Sequence, residues 1–246
     1  MPRVLFALIW LMLCAPVFAL TGNAPPAADW AARPIVMIVD ARGDLCTGTA
    51  LAQDLVLTAA HCVTRATGYE VKAFQTGQPI KVAAIAQHPG FNYANYTASR
   101  ATADLALLKL SGSLPDIVMP ATLAASRRVA VGETLIVAGF GVTAAGTPLG
   151  LGQPRMATLI VTGKPGSLQI RLFDVATRNQ STGLGGCTGD SGAPAFYGGK
   201  VIGVVSWSTG PGDTEGCGGL TGVTPLLAYR GWVIETARKL NSPIGP

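Results

Sequence analysis

Seven short apolar runs, each closed off by turn-forming residues, constrain this chain more than any other feature of its sequence. They are Ile35 to Val39, Leu55 to Thr58, Val82 to Ala86, Leu105 to Leu110, Thr134 to Ala138, Ala157 to Val161 and Val201 to Trp207. All are too short for typical helices, are rich in Val, Ile and Leu, and are punctuated by Gly, Pro, Asn or Asp, which is the signature of strands. Glycine (31) and proline (17) make up just under a fifth of the 246 residues, and that supply of turns suits an antiparallel barrel or sandwich rather than a helical bundle. The strand-rich stretches on either side of a linker, Ser111 to Arg128, are of similar size. Two small barrels are therefore expected, the first over about residues 20–115 and the second over about 125–246. Near the end, Tyr229, Trp232, Val233, Thr236, Ala237 and Leu240 recur at helical spacing, and Arg238 and Lys239 suit the C-terminal end of the helix dipole. The spacing predicts one short terminal helix.

Composition excludes several classes. With 49% hydrophobic and 13% charged residues the chain must bury a sizeable core and is not a disordered polymer. The +5 balance is carried by scattered single charges, and only Arg127-Arg128 and Arg238-Lys239 are adjacent, so no patch suited to a nucleic acid is expected. Residues 1–19 read as a signal peptide: Arg3 gives the positive start, Val4 to Leu13 the apolar core and Val17-Phe18-Ala19 the small-residue cleavage site. Pro16 interrupts the run before it could span a bilayer, and Leu13 argues against a lipid anchor on Cys14. A chain released after Ala19 is expected to be secreted or periplasmic, without a membrane anchor. Four cysteines then remain, Cys46, Cys62, Cys187 and Cys217, an even count that favours two disulfides in an exported protein. Four cysteines permit three pairings. No CxxC spacing exists and His61 and His88 lie far apart in the sequence, so no metal site is expected.

Three local patterns carry chemistry. Leu57-Thr58-Ala59-Ala60-His61-Cys62 puts a histidine just after a strand. Asp104 heads the otherwise apolar run ending at Leu110. Gly189-Asp190-Ser191-Gly192-Ala193-Pro194 puts a serine in a glycine-rich turn. Each alone has a structural explanation: a core histidine, a strand-end cap, a turn. In this order the three suggest a nucleophile with its base, since a serine hydroxyl is a weak nucleophile until an imidazole can take its proton and a carboxylate fixes the imidazole's tautomer.

These segments resemble the chymotrypsin-like, trypsin-fold serine proteases, and the likeness runs from about Pro34 to the terminal helix, with TAAHC and GDSGxP as its specific motifs. The resemblance implies an all-β fold of two packed six-stranded antiparallel β-barrels. It implies a secreted endopeptidase that cleaves protein or peptide substrates through an acyl-enzyme, works as a monomer and needs no cofactor. It makes His61 the general base, Asp104 its orienter and Ser191 the nucleophile, with the N–H groups of Gly189 and Ser191 as an oxyanion hole. It pairs Cys46 with Cys62 and Cys187 with Cys217. It assigns substrate binding to Gly185 and Gly186 at the base of a pocket, to Ser208 and Gly222 on its walls, and to the edge strand carrying Ser206 and Trp207. Without a carboxylate at that base, Lys and Arg are not expected before the cut. Gly139-Phe140-Gly141 is similar to the family's Gly-Trp-Gly. Asp190 is implied as partner of a new N-terminal amine, which cleavage after Ala19 would place on Leu20; the alternative is that Leu20 to Arg33 is a loose arm or propeptide.

Departures also appear. Ala193 replaces a second glycine, the stretch from Lys72 to Lys81 lacks the acids of a calcium loop, and the sparse cysteines look bacterial. Two other readings are a binding protein without catalysis on the same fold and an esterase. An α/β-hydrolase is disfavoured, because the serine turn does not fit G-x-S-x-G.

Overall fold

The computed structural model describes residues 20–66, 68–74, 76–125, 127–163 and 168–245. The expected signal segment, residues 1–19, lies outside the described residues. Twelve strands are described: β1 Ile35–Asp40, β2 Leu45–Ala52, β3 Leu55–Thr58, β4 Tyr69–Lys72, β5 Pro79–Gln87, β6 Ala106–Leu110, β7 Thr134–Gly139, β8 Arg155–Gly163, β9 Ile170–Phe173, β10 Pro194–Tyr197, β11 Lys200–Ser208 and β12 Thr221–Pro225. They close into two six-stranded barrels, in the order β1-β2-β3-β6-β5-β4 and β10-β11-β12-β9-β8-β7, with every pairing antiparallel. The terminal helix is α3, Arg230–Lys239, and two single-turn helices join it, α1 (Asp29–Ala32) and α2 (Tyr93–Thr97). No helix among the described residues is long and apolar enough to cross a membrane.

The apolar runs are strands for two physical reasons. In β8 the pattern alternates: Ala157, Leu159 and Val161 enter the second barrel while Thr158 faces water. In β3 and β6 both faces are covered. Val56 and Leu108 fill the first barrel, whereas Leu55, Leu57, Leu105 and Leu107 pack between the barrels against Phe140, Phe196, Val204 and α3. Burial on both faces removes any need for polar alternation, which is why these two runs are continuous. Each of those leucines contributes roughly 1.5–3 kcal/mol by leaving water, so the seam between the barrels is itself a core.

The two barrels are also joined through polar atoms. Thr47 on β2 is fully buried and its N–H donates to Ser191 O at 2.8 Å. Its hydroxyl donates to Gly189 O at 2.8 Å and accepts from Phe140 N–H at 3.1 Å. At the far end, Lys109 Nζ binds Asp54 Oδ2 and Ser242 Oγ, each at 2.5 Å, and so fixes the chain after α3 to the first barrel.

Candidate active site

β3 ends at Thr58, and the 3₁₀ turn Ala60–Val63 that follows carries His61 into the cleft between the barrels. The Cys46–Cys62 disulfide ties this turn to β2. Asp104 lies just before β6 and has no exposed surface. Its carboxylate accepts from His61 N–H at 2.9 Å, from His61 Nδ1 at 2.7 Å and from Ser206 Oγ at 2.5 Å. A carboxylate on Nδ1 fixes the proton there, which leaves Nε2 as the acceptor of the neutral ring. Nε2 stands 3.8 Å from Cys62 Sγ. No hydrogen bond joins it to Ser191 Oγ among the described residues, a contact that in resting sites of this kind is often long and tightens with substrate. One face of the imidazole is covered by Tyr96 from α2, stacked at 4.3 Å and 11°. The other histidine, His88, is remote from the cleft and packs against Tyr229 and Trp232 under α3, where burial lowers its pKa.

Ser191 sits on the opposite side of the cleft, in a turn that glycine makes possible. Gly189 has φ +96° and Gly192 φ +85°, conformations that strain other residues. Ala193 adopts no such conformation, so the replacement of a glycine there leaves the turn intact. The carbonyls set where the N–H groups point. Thr188 C=O accepts from Val142 N–H at 2.8 Å and Asp190 C=O from Ala193 N–H at 3.0 Å. A trans peptide holds its N–H opposite its C=O, so the N–H groups of Gly189 and Ser191 turn away from those partners, and neither donates to another group among the described residues. The turn can thus present two donors to an incoming oxygen.

Beneath it, Asp190 is fully buried. Burial pushes its carboxyl up to about 7, against the pull of the Gly141 and Cys187 N–H groups that donate to it at 2.8 and 2.9 Å. A Cβ on Gly139 or Gly141 would run into this carboxylate, which explains the spacing of the Gly-Phe-Gly motif; Phe140 between them fills the seam. No ion pair reaches Asp190 among the described residues. Leu20 is buried in the second barrel's core, and Thr21 binds Gly185 O through its N–H at 3.2 Å.

The pocket beside Ser191 departs from expectation at one position. Gly185 and Gly186 are buried beside Gly218 and Thr221, and Ser208 stands on the wall of the cleft that contains Ser191. Gly222, however, faces the Trp207 indole, which lies across the space a side chain there would need. The opposite wall is Thr221, whose hydroxyl accepts from Gly186 N–H at 2.9 Å. A one-residue step along a strand turns a side chain to the other face, and the sequence lacked a marker to fix that register. Asp213 and Glu215 are exposed and neither lines the cleft that contains Ser191. Cys187, bonded to Cys217, lies on the cleft wall.

That cleft has a volume of about 460 Å³ and holds His61, Ser191, Gly189, Ser206 and Trp207 on its walls. The only cluster of three metal-ligand types among the described residues is Cys46, His61 and Cys62. Its two sulfurs are joined to each other and offer no thiolate.

A family model described as Trypsin matches residues 22–233. Trypsin alpha of Drosophila erecta is 30% identical over 209 residues, which cover 79% of this chain and 78% of that protein. Snake venom serine protease rhinocerase 4 of Bitis rhinoceros is 25% identical over 211 residues, 82% of this chain and 81% of its own. Among solved structures, neuropsin, a serine protease expressed in the limbic system of mouse brain, superposes with a TM-score of 0.70 at 25% identity, covering 87% of this chain and 98% of its own. Human heparin binding protein superposes at 0.72 with 23% identity, covering 92% and 99%, and shows the fold alone. These sequence relatives come from insects and a snake and lend no support to a bacterial type.

Proposed function

The chain belongs to the trypsin family and is a serine endopeptidase, and from that premise we propose how its residues divide the reaction. Ser191 Oγ attacks the carbonyl of a peptide bond while His61 Nε2 takes its proton, and Asp104 holds the ring and stabilises the imidazolium. The oxyanion that forms rests on the N–H groups of Gly189 and Ser191, donors worth roughly 2.7–4 kcal/mol each. His61 then protonates the leaving amine, and water repeats the sequence on the acyl-enzyme to free the second product. The observation that carries this reading is the buried Asp104 carboxylate, bound at once by the backbone and ring of His61 and by Ser206, both of which line one cleft with Ser191.

The residue before the cut enters the pocket of Gly185, Gly186, Ser208 and Thr221. With no carboxylate at its base a cationic side chain would be buried unpaired, at a cost of several kcal/mol. Thr221 narrows the pocket further: even a Cβ on Gly186 would lie 3.3 Å from its methyl group. Small uncharged side chains fit best. The substrate is a protein or peptide, and the enzyme is an exported monomer free of the membrane and of nucleic acid, released after Ala19. Its new amine on Leu20 pairs with Asp190; the burial of Leu20 and the Thr21–Gly185 bridge support this.

Fluorophosphonate labelling followed by assay on casein and on a simple ester tests the whole scheme. Ser191→Ala is expected to lose labelling and casein cleavage while keeping its thermal transition, and His61→Ala should be equally inactive because the two act as a unit. More than a few per cent of residual activity in Ser191→Ala would refute these roles. Labelling without casein cleavage would point to an esterase, and no labelling to a binding protein.

A further inference from the structure

Beyond Trp207, a second cavity of about 460 Å³ adjoins the catalytic cleft. Tyr96, Ser206, Trp207 and Ser208 line both, so an extended chain leaving one enters the other. Strand register sets its floor. Trp207 pairs with Gly222, and Gly222 with Arg171, so these three residues form one row across β11, β12 and β9. Because Gly222 has no side chain, the indole lies across it toward Arg171. Arg171 is exposed, whereas its neighbours Ile170 and Leu172 on β9 are buried.

Arg100, on the loop after α2, lines the same cavity, and its backbone N–H bonds to Asn95 O at 2.8 Å. Neither guanidinium has a carboxylate or hydrogen-bond partner among the described residues. The cavity's one acid, Asp213, accepts from Asn179 Nδ2 at 3.0 Å and forms no ion pair with either arginine. Two unengaged planar donor forks therefore belong to residues that line one recess with an indole. That arrangement suits a carboxylate, which a guanidinium can bind through two parallel hydrogen bonds.

We infer that this cavity, through Arg100 and Arg171, selects substrates bearing Asp or Glu about three to four residues on the amino-terminal side of the cut. The inference rests on the endopeptidase roles proposed above. An extended peptide advances about 3.3 Å per residue, and the backbone of Ser206 to Ser208 has β12 on one side and the cleft on the other, so the peptide can add to it as a strand. The segment before the cut thereby passes over Trp207 into the space between the two arginines.

The test uses two internally quenched peptides identical except for Glu or Gln at the third and fourth positions before the cut. With the wild-type enzyme kcat/KM should be roughly tenfold higher for Glu, and the ratio should fall toward one in 1 M salt. In the double variant Arg100→Gln, Arg171→Gln the ratio should also approach one while the Gln peptide is cleaved as before. Equal cleavage of both peptides by wild type, or a ratio that survives the double substitution, would overturn the inference and leave the endopeptidase reading standing. Cleavage of neither peptide, nor of casein, would overturn both.

Discussion

Thr47 is an inconspicuous residue on which the site's geometry depends. Its hydroxyl serves Gly189 and Phe140 together, so it sets the loop that carries Gly189, an oxyanion donor in the scheme proposed above, against the seam of the other barrel. Thr47→Val keeps the shape and removes the hydroxyl, which strands a buried N–H and a buried C=O. A loss of about 1–3 kcal/mol in stability is expected, with kcat/KM falling about tenfold, while Thr47→Ser should restore most of both. Denaturant melts and steady-state kinetics on the two variants check this. Nothing in the sequence marks Thr47, because a threonine inside a strand is ordinary and its partners lie 93 and 142 positions away. The His61–Asp104 pairing was legible because each residue sits in a compact motif whose neighbours are constrained too, and Ser191, the proposed nucleophile, sits in a third such motif. Thr221 was not, since Thr221 and Gly222 are both small and only the strand register decides which one faces the pocket.

At the level of elements, legibility followed aliphatic composition rather than burial: β5 holds no fully buried residue and was readable, whereas β2, β10 and β12 are largely buried and were not. The strands read from the sequence are those with long aliphatic runs; β3 keeps its run's bounds and β6 starts one residue inside its run, while the other five extend past theirs because pairing continues where apolarity stops, as at Pro79–Gln87. The strands not foreseen, β2, β4, β9, β10 and β12, are short or built from Thr, Gly and Ala. Their place in the ladder comes from the neighbours that pair with them rather than from their own side chains. Helix α2 was also missed, being a single turn held by Asn92, whose side chain accepts from Asn95 N–H at 2.9 Å. It positions Tyr96 over His61, where burial and then the charge of Asp104 push the phenol up to about 12, so the ring stays neutral across the working range. On the roles proposed above, the substrate residue beside His61 is the second before the cut, and the stacked Tyr96 ring crowds it. Tyr96→Ala should therefore raise kcat/KM about fivefold for a peptide with Leu at that position and leave the Gly peptide nearly unchanged; equal effects on both would remove the steric role.

At the scale of the whole molecule, Leu20 and Thr21 are held by the second barrel. Asp190, raised from 3.8 to about 7 by burial, favours the folded state when protonated. Without a cation, that stability is complete below about 3.8 and is lost as pH rises through about 7, at up to about 1.4 kcal/mol per pH unit. An amine on Leu20 reverses the trend: its own pKa, roughly 7.7–8.0 when free, is raised by the carboxylate, so its contribution is complete below that value and lost as pH climbs through the raised one. A form with one alanine ahead of Leu20 should therefore lose on the order of 3 °C of Tm per pH unit between pH 4 and 7, while the Leu20 form holds steady there and declines, with its activity, above pH 8. Parallel melting curves and unchanged activity would refute the pairing. The Thr21 hydroxyl contact with Gly185 spans 164 positions of chain, and that distance is also a delay. At about 5–20 residues per second the second partner is made on the order of ten seconds after the first. In the later part of that interval a growing chain holds His61 and Asp104 but not yet Ser191, the nucleophile proposed above, and so it cannot cut the chains being made beside it.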